Sequence, residues 1–190
     1  MCIILQKSKL STRELCYIAL FTALIAALSQ ISIPMPIGLP MTLQTFIIPL
    51  AGVILGAKLG ILSVIAYILL GVVGLPVFSG GGSGFGWLFG PTGGFLIGFP
   101  FYALCAGLGA KAESGAIKQH YFLASGLLSG MVITYLFGML QFAFVTDQTI
   151  PRAFSVVVIQ FLPTEIIKLI FVWILGKKIR NLLAQSGLLL

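Results

Sequence analysis

Charge is what this sequence has least of. Only 8% of its 190 residues are charged, against about a quarter in a soluble domain. Acids are scarcest: Glu14, Glu113, Asp147 and Glu165 are all of them. With these and a single histidine, His120, the chain lacks the donors for an acidic metal cluster or an intramembrane metalloenzyme. It has no Walker motif, no His-Glu-x-x-His and no Gly-x-Ser-x-Gly, so ATP hydrolysis by this chain and the common hydrolase chemistries are excluded. Cysteine is scarce as well. Cys2, Cys16 and Cys105 are odd in number and share no paired spacing, so they form neither a disulfide framework nor a metal cluster. His120, near Lys118 and Tyr121, reads as a membrane-interface residue and not as a ligand.

What fills the chain is apolar: 59% of residues are hydrophobic and the mean hydropathy is +1.15. This composition predicts an all-α integral membrane protein, a six-transmembrane-helix bundle forming one membrane domain over residues 1–190. The expected spans are 15–33, 42–57, 59–75, 92–110, 121–146 and 153–175. Lys7, Lys9 and Arg13 before the first apolar run, with Ala26, Ala27 and Ser29 behind it, mimic a signal peptide. The run is as long as a full span and more spans follow, so it reads as a retained helix. The net charge of +7 sits at segment ends, where orientation in the bilayer explains it and nucleic acid need not be invoked.

Two stretches stand out. Near the C-terminus, Phe161-Leu162-Pro163-Thr164-Glu165-Ile166-Ile167-Lys168 places an acid and a base at i and i+3, on one face of a helix. Gln160, Thr164 and Lys168 extend that face as a polar stripe, and Pro163 is the expected kink. Intramembrane charges mark functional sites by default, although a structural ion pair clamping one helix to its neighbours gives the same pattern. The second stretch runs from Gly74 to Gly94 without a charge, with Phe85, Trp87 and Phe89 alternating among glycines. Such a backbone approaches a ligand closely, and the aromatics suit the walls of a flat apolar pocket; an interfacial loop with an aromatic belt is the plainer reading. No Gly-Lys-Ser/Thr follows, so this is not a nucleotide loop.

Other features support these. Ile33 to Met41 is a Pro-rich apolar loop, with Pro34, Pro36, Gly38 and Pro40, placed to wall a cavity. Thr42, Gln44 and Thr45 open the second span, and Gln141 closes the fifth. Gly52, Gly56 and Gly60 predict a small-residue ridge; Gly94 with Gly98, Ser125 with Ser129, and Gly126 with Gly130 predict close-packed faces. Ala19, Ala23 and Ala27 line one face of the first helix, suited either to packing within this chain or to docking a partner helix. Lys7, Lys9, Arg13, Lys58, Lys111, Lys118, Lys177, Lys178 and Arg180 fall on one side of a six-span topology and only Arg152 on the other. Both termini are therefore expected in the cytoplasm, with the two loops roofing an outward-facing pocket for a small carboxylated or amphipathic solute.

The loop Gly74-Leu75-Pro76-Val77-Phe78 through Phe89-Gly90-Pro91-Thr92-Gly93-Gly94, the alanine-spaced first helix and the acid-x-x-Lys pair resemble the biotin-specific substrate-binding subunits (BioY) of energy-coupling-factor vitamin transporters, over essentially the whole chain. The family commonly has Asp where this chain has Glu165, one methylene longer. The resemblance implies a cell-membrane subunit that captures biotin from outside and works with a transmembrane coupling protein and two ATPases. It implies no cofactor, biotin being the transported ligand, and no enzymatic activity. By the same likeness Glu165 and Lys168 are the leading ligand contacts, with Gln44 and the loop residues Gly82, Phe85, Trp87, Gly90 and Gly93 beside them, and Ala19, Ala23 and Ala27 form the docking face. Two competing classes differ in what they predict. An autonomous secondary carrier or channel would give flux in liposomes by this chain alone. A membrane enzyme acting on lipid or prenyl substrates would turn its ligand over.

Overall fold

Hydrocarbon offers no partners to backbone N–H and C=O groups, so a chain this apolar must satisfy them internally, and it does so with helices. The structure, a computed structural model, describes residues 10–35, 39–111 and 116–186, with backbone alone over 116–118. The basic lead with Cys2, Lys7 and Lys9, the loop residues Pro36 and Gly38, Glu113 and the side chain of Lys118 lie outside the described residues.

Helix α1 (Thr12–Ser29) starts at a capping box: Ser11 Oγ accepts from the Glu14 N–H at 3.2 Å, and Glu14 Oε2 accepts from the Ser11 N–H at 2.7 Å. It ends four residues short of the expected Ile33. Ser32–Ile33 (β1) instead pairs antiparallel with Met41–Thr42 (β2), because Pro34 pushes the residue before it into extended backbone. The described ends of the Pro-rich stretch thus face each other in a short antiparallel ladder.

Helix α2 (Gln44–Val73) is two rods. Gly56 breaks it at φ 79°, ψ 170°, a left-handed backbone that favours glycine. The legs then fold back on each other: a Cβ on Gly60 would meet the Gly52 Cα at 2.8 Å. Gln44 Nε2 donates to the Tyr67 hydroxyl at 2.7 Å, although 23 helical residues would separate them by about 35 Å in a straight helix. The expected ridge of Gly52, Gly56 and Gly60 is therefore corrected: Gly56 is the turn, and the other two are the contact across it.

Helices α3 (Gly93–Lys111) and α4 (Ala116–Val145) pack backbone to backbone. Gly98 lies under Thr134, whose Cα a Cβ would meet at 2.8 Å, and Gly109 lies 3.1–3.2 Å from Leu123 and Gly126 by the same measure. Ser125 and Ser129 take no part. They face outward and donate to the Phe122 and Gly126 carbonyls of their own helix. Gly52 seats α2 against the Ala103 backbone of α3, and Gly107 seats α3 against Ala57.

The last crossing is bent by 45°. It comprises α5 (Ile150–Phe154), a π-helical turn (Ser155–Ile159) and α6 (Leu162–Gln185). The break falls at Gln160 and Phe161. Pro163 stands in the first turn of α6, where its missing N–H costs nothing. Because α6 starts after Gln160, the expected Gln160–Thr164–Lys168 stripe is interrupted, and Thr164 instead donates to the Phe161 carbonyl at 2.8 Å. With α2 counted as two legs and α5–α6 as one bent rod, the described residues form six helical rods.

A side chain at Gly52 must displace the Ala103 carbonyl. Gly52→Val should lower stability by about 3 kcal/mol or more, the upper end of overpacking costs. Gly86→Ala, with nothing within 4 Å of its Cβ position, should stay within about 0.5 kcal/mol of the parent. Thermal unfolding of the two variants in detergent checks both.

Candidate functional site

A charge in an apolar bundle is stable only if paired and hydrogen-bonded. On the first turns of α6, Lys168 Nζ lies 2.6 Å from Glu165 Oε1, with Glu165 2% and Lys168 13% exposed. An ammonium carries three protons, and all three are used. Lys168 donates to Glu165 Oε1, to Thr45 Oγ1 at 3.0 Å and to the Thr42 carbonyl at 2.8 Å. Thr45 in turn donates to Glu165 Oε1 at 2.7 Å. One network thus joins α6 to β2 and the start of α2. Its spare capacity lies on the acid: Glu165 Oε2 is buried and has no hydrogen-bond partner.

The network forms one wall of a small cavity of about 60 Å³. Gln44, Thr45, Glu165 and Lys168 give its polar side. Leu39, Pro40 and Met41 from the Pro-rich loop, with Phe99, Tyr135 and Phe161, give much of its apolar side. Phe78, Ser79 and Trp87 close it from the glycine-rich loop.

That loop is built, not slack. Phe78 is 1% exposed and packs edge-on to Tyr67, ring centroids 5.7 Å apart. Its ring fills the place where a side chain on Gly71 would go. Gly80, Gly81 and Gly84 turn the backbone at φ 67°, 80° and 93°. Trp87 lies across Gly82, leaving no room for a side chain there. Two glutamines hold the loop by its carbonyls. Gln30, at the end of α1, donates Nε2 to Pro76 at 3.1 Å and to Phe78 at 3.3 Å. Gln141, on α4, donates to Leu88 at 2.6 Å and to Gly90 at 2.9 Å.

The sequence-predicted site residues therefore divide. Glu165, Lys168, Gln44 and Trp87 line one cavity. Gly82, Gly90 and Gly93 shape the loop around it: Gly90 offers its carbonyl to Gln141, and Gly93 is wedged between Leu88 and Gln141. Phe85 points away, 61% exposed and edge-on to Phe89 at 5.2 Å, so one aromatic of the expected three, Trp87, walls the cavity. Ala19, Ala23 and Ala27 are exposed, while Phe21, Thr22, Ile25 and Ser29 face the bundle, so the alanine face does not pack within the chain.

Comparison with known proteins places this geometry. Residues 6–185 match the BioY family. This chain belongs to the BioY family. The biotin transporter BioY of Thermotoga maritima is 40% identical over 171 residues, 90% of this chain and 97% of the relative. The biotin transporter BioY of Rhizobium etli is 35% identical over 178 residues, 90% of this chain and 94% of the relative. A crystal structure of the S-component for biotin from an ECF-type ABC transporter superposes with a TM-score of 0.78 at 27% identity, covering 91% of this chain and 95% of that one.

Sequence reasoning did not single out several residues of this BioY-family cavity. Thr45 is legible as a polar group opening a span but not as the hinge of the charge network. Tyr135 and Phe99 carry no local signal, being aromatics within apolar helices. Gln30 sits in a run that reads as the end of a helix, and its reach to Pro76 exists only in three dimensions.

Gln141→Leu removes two hydrogen bonds from the loop and leaves the helices intact. Amide hydrogen exchange across residues 84–90 should speed up by about tenfold or more, each bond being worth about 1 kcal/mol, with the α3 amides unchanged. Exchange mass spectrometry reads both segments at once.

Proposed function

We propose that this chain is the high-affinity biotin-capturing subunit of an energy-coupling-factor transporter, a single multi-pass domain of the cell membrane. The observation that carries the reading is the buried Oε2 of Glu165, without a hydrogen-bond partner, on a residue that lines a cavity with one polar wall and the rest aromatic and aliphatic. A buried carboxylate oxygen seeks an N–H donor. Biotin carries two ureido N–H groups on a compact apolar bicycle. Glu165 takes one of these N–H groups, and Lys168 holds the Glu165 carboxyl in place. Gln44 adds a polar contact, and Trp87 covers the bicycle. Gly82, Gly90 and Gly93 keep the loop thin enough to close, and Phe85 anchors its outer side at the membrane interface. The names of the BioY relatives and of the superposed S-component support biotin as the ligand.

The cavity of about 60 Å³ is far smaller than the ~300 Å³ of the smallest ordinary ligand pockets. Entry of biotin therefore requires the two loops to part, and the loops, not the helices, carry the binding motion. Uptake needs work that a chain without a nucleotide site does not supply, so the partners are a transmembrane coupling protein and two ATPases. The exposed Ala19, Ala23 and Ala27 give a helix of the coupling protein close approach. The described basic residues Arg13, Lys58, Lys111, Lys177, Lys178 and Arg180 lie towards the helix ends opposite the site, which supports a cytoplasmic location for that end and both termini.

Calorimetric titration of the purified chain, with thiamine and riboflavin as controls, should show stoichiometric binding of biotin alone; folded protein that ignores biotin overturns the assignment. Lys168→Ala leaves Glu165 buried without its counter-charge and should weaken biotin binding by about 1.5–3 kcal/mol. Wild-type affinity in that variant would remove Lys168 from the site. Ala23→Trp should leave biotin binding intact and abolish co-purification with the coupling protein, and an undiminished complex would exclude the alanine face as the dock.

A further inference from the structure

At the end of the bundle away from the cavity, hydrogen-bond donors gather with fewer acceptors than protons. Lys177 Nζ lies 2.6 Å from His120 Nε2. An ammonium has only protons to give, so Nε2 accepts and the ring proton sits on Nδ1. His120 Nδ1 is buried and has no partner. The Trp173 ring meets the His120 ring edge-on at 5.3 Å, and its Nε1, a donor only, is also buried and without a partner. Arg180 gives one Nη1 proton to the Val53 carbonyl at 2.9 Å, which leaves most of its fork unused. Among the described residues no salt bridge joins Lys177 or Arg180 to a carboxylate. Gln119, His120, Lys177, Arg180 and Asn181 line a crevice of about 10 Å³ here, room for one water-sized atom group.

Orphaned buried donors each cost about 1–3 kcal/mol, and the bland account, basic residues placed for orientation, explains neither the indole nor the imidazole. We propose that this crevice binds a phosphate anion, seated by one oxygen between His120, Lys177 and Arg180, and that the phosphate belongs to an anionic membrane lipid. The lipid source follows from position. The crevice is lined from the start of α4 and the end of α6, and Tyr121, Phe122, Ile174 and Leu182 on the same stretches of those helices are exposed and offer a surface for acyl chains. Basic crevices between membrane helices on the cytoplasmic side hold such headgroups.

The test is thermal unfolding of the purified full-length chain in neutral detergent, titrated with short-chain phosphatidylglycerol. Phosphatidylcholine of the same chain length and inorganic phosphate, at matched ionic strength, are run in parallel. The melting temperature should rise with phosphatidylglycerol and not with phosphatidylcholine. Lys177→Gln and Arg180→Gln should each raise the half-saturating lipid concentration roughly fivefold or more, about 1 kcal/mol per basic group. Either variant suffices should the other fail to fold by circular dichroism. His120→Phe keeps a ring at the crevice but loses the imidazole N–H, and it too should weaken the response, which a diffuse surface charge would not. Equal stabilisation by phosphatidylcholine, or unchanged titrations in the charge variants, overturns the site. Inorganic phosphate matching phosphatidylglycerol, with the same loss in the variants, overturns the lipid source and leaves a soluble-phosphate site.

Discussion

The structure turns on one buried ammonium. Lys168 spends its three protons on Glu165, Thr45 and Thr42, and so ties the last helix to the hairpin strand and to the first leg of α2. Each of these groups is costly alone in hydrocarbon. Together they leave one carboxylate oxygen, Glu165 Oε2, buried without a partner. The pair is thus a structural tie that also lines the cavity, and the two readings that the sequence allows are compatible. The i, i+3 spacing puts acid and base on one face; Thr45, arriving from another helix, decides which carboxylate oxygen is used up.

Around this tie the helices cohere in two different ways. Lipid tails are as apolar as leucine, so no hydrophobic effect draws one membrane helix to another, and close backbone contact must do the work. The two legs of α2 with α3 and α4 achieve that contact through Gly52, Gly60, Gly98, Gly107, Gly109 and Gly126. Helices α1 and α6 have fewer such glycines and are joined by polar reach instead: Thr22 to the Ser63 carbonyl, Gln30 to the loop, Lys168 to Thr42 and Thr45, Arg180 to Val53. The cavity lies at the seam between the glycine-packed centre and α6.

Much of this was legible in residue order, because the bilayer imposes strong rules. Apolar length marks the helices, Lys and Arg mark their ends, and an acid-x-x-Lys within an apolar run marks the buried ion pair. What stayed hidden follows from degenerate patterns. Gly52, Gly56 and Gly60 are spaced equally well for a helix ridge and for a hairpin whose middle glycine turns the chain; only the left-handed backbone of Gly56 separates them. Phe85, Trp87 and Phe89 alternate as if all three faced a ligand, yet a short 3-10 turn sends Trp87 inward and pairs the two phenylalanines outside. Ile33 continues an apolar helix until Pro34 is taken into account. The π-helical turn before Gln160 has no signature in sequence at all.

The placement of Gln30 links these parts. It caps α1, the helix whose alanine face lies open, and its amide holds the carbonyls of Pro76 and Phe78, the residues that lead into the cover of the cavity. Phe78 in turn is locked between Tyr67 and Trp87. A shift of α1 relative to α2 therefore has two outcomes. Either the amide bonds break, or the loop travels with the helix and lifts Trp87 from the site. In both cases the outer face of α1 and the cover of the cavity share one mechanical element. The residue that joins them is neutral and short in reach, so the link responds to position and not to charge or pH.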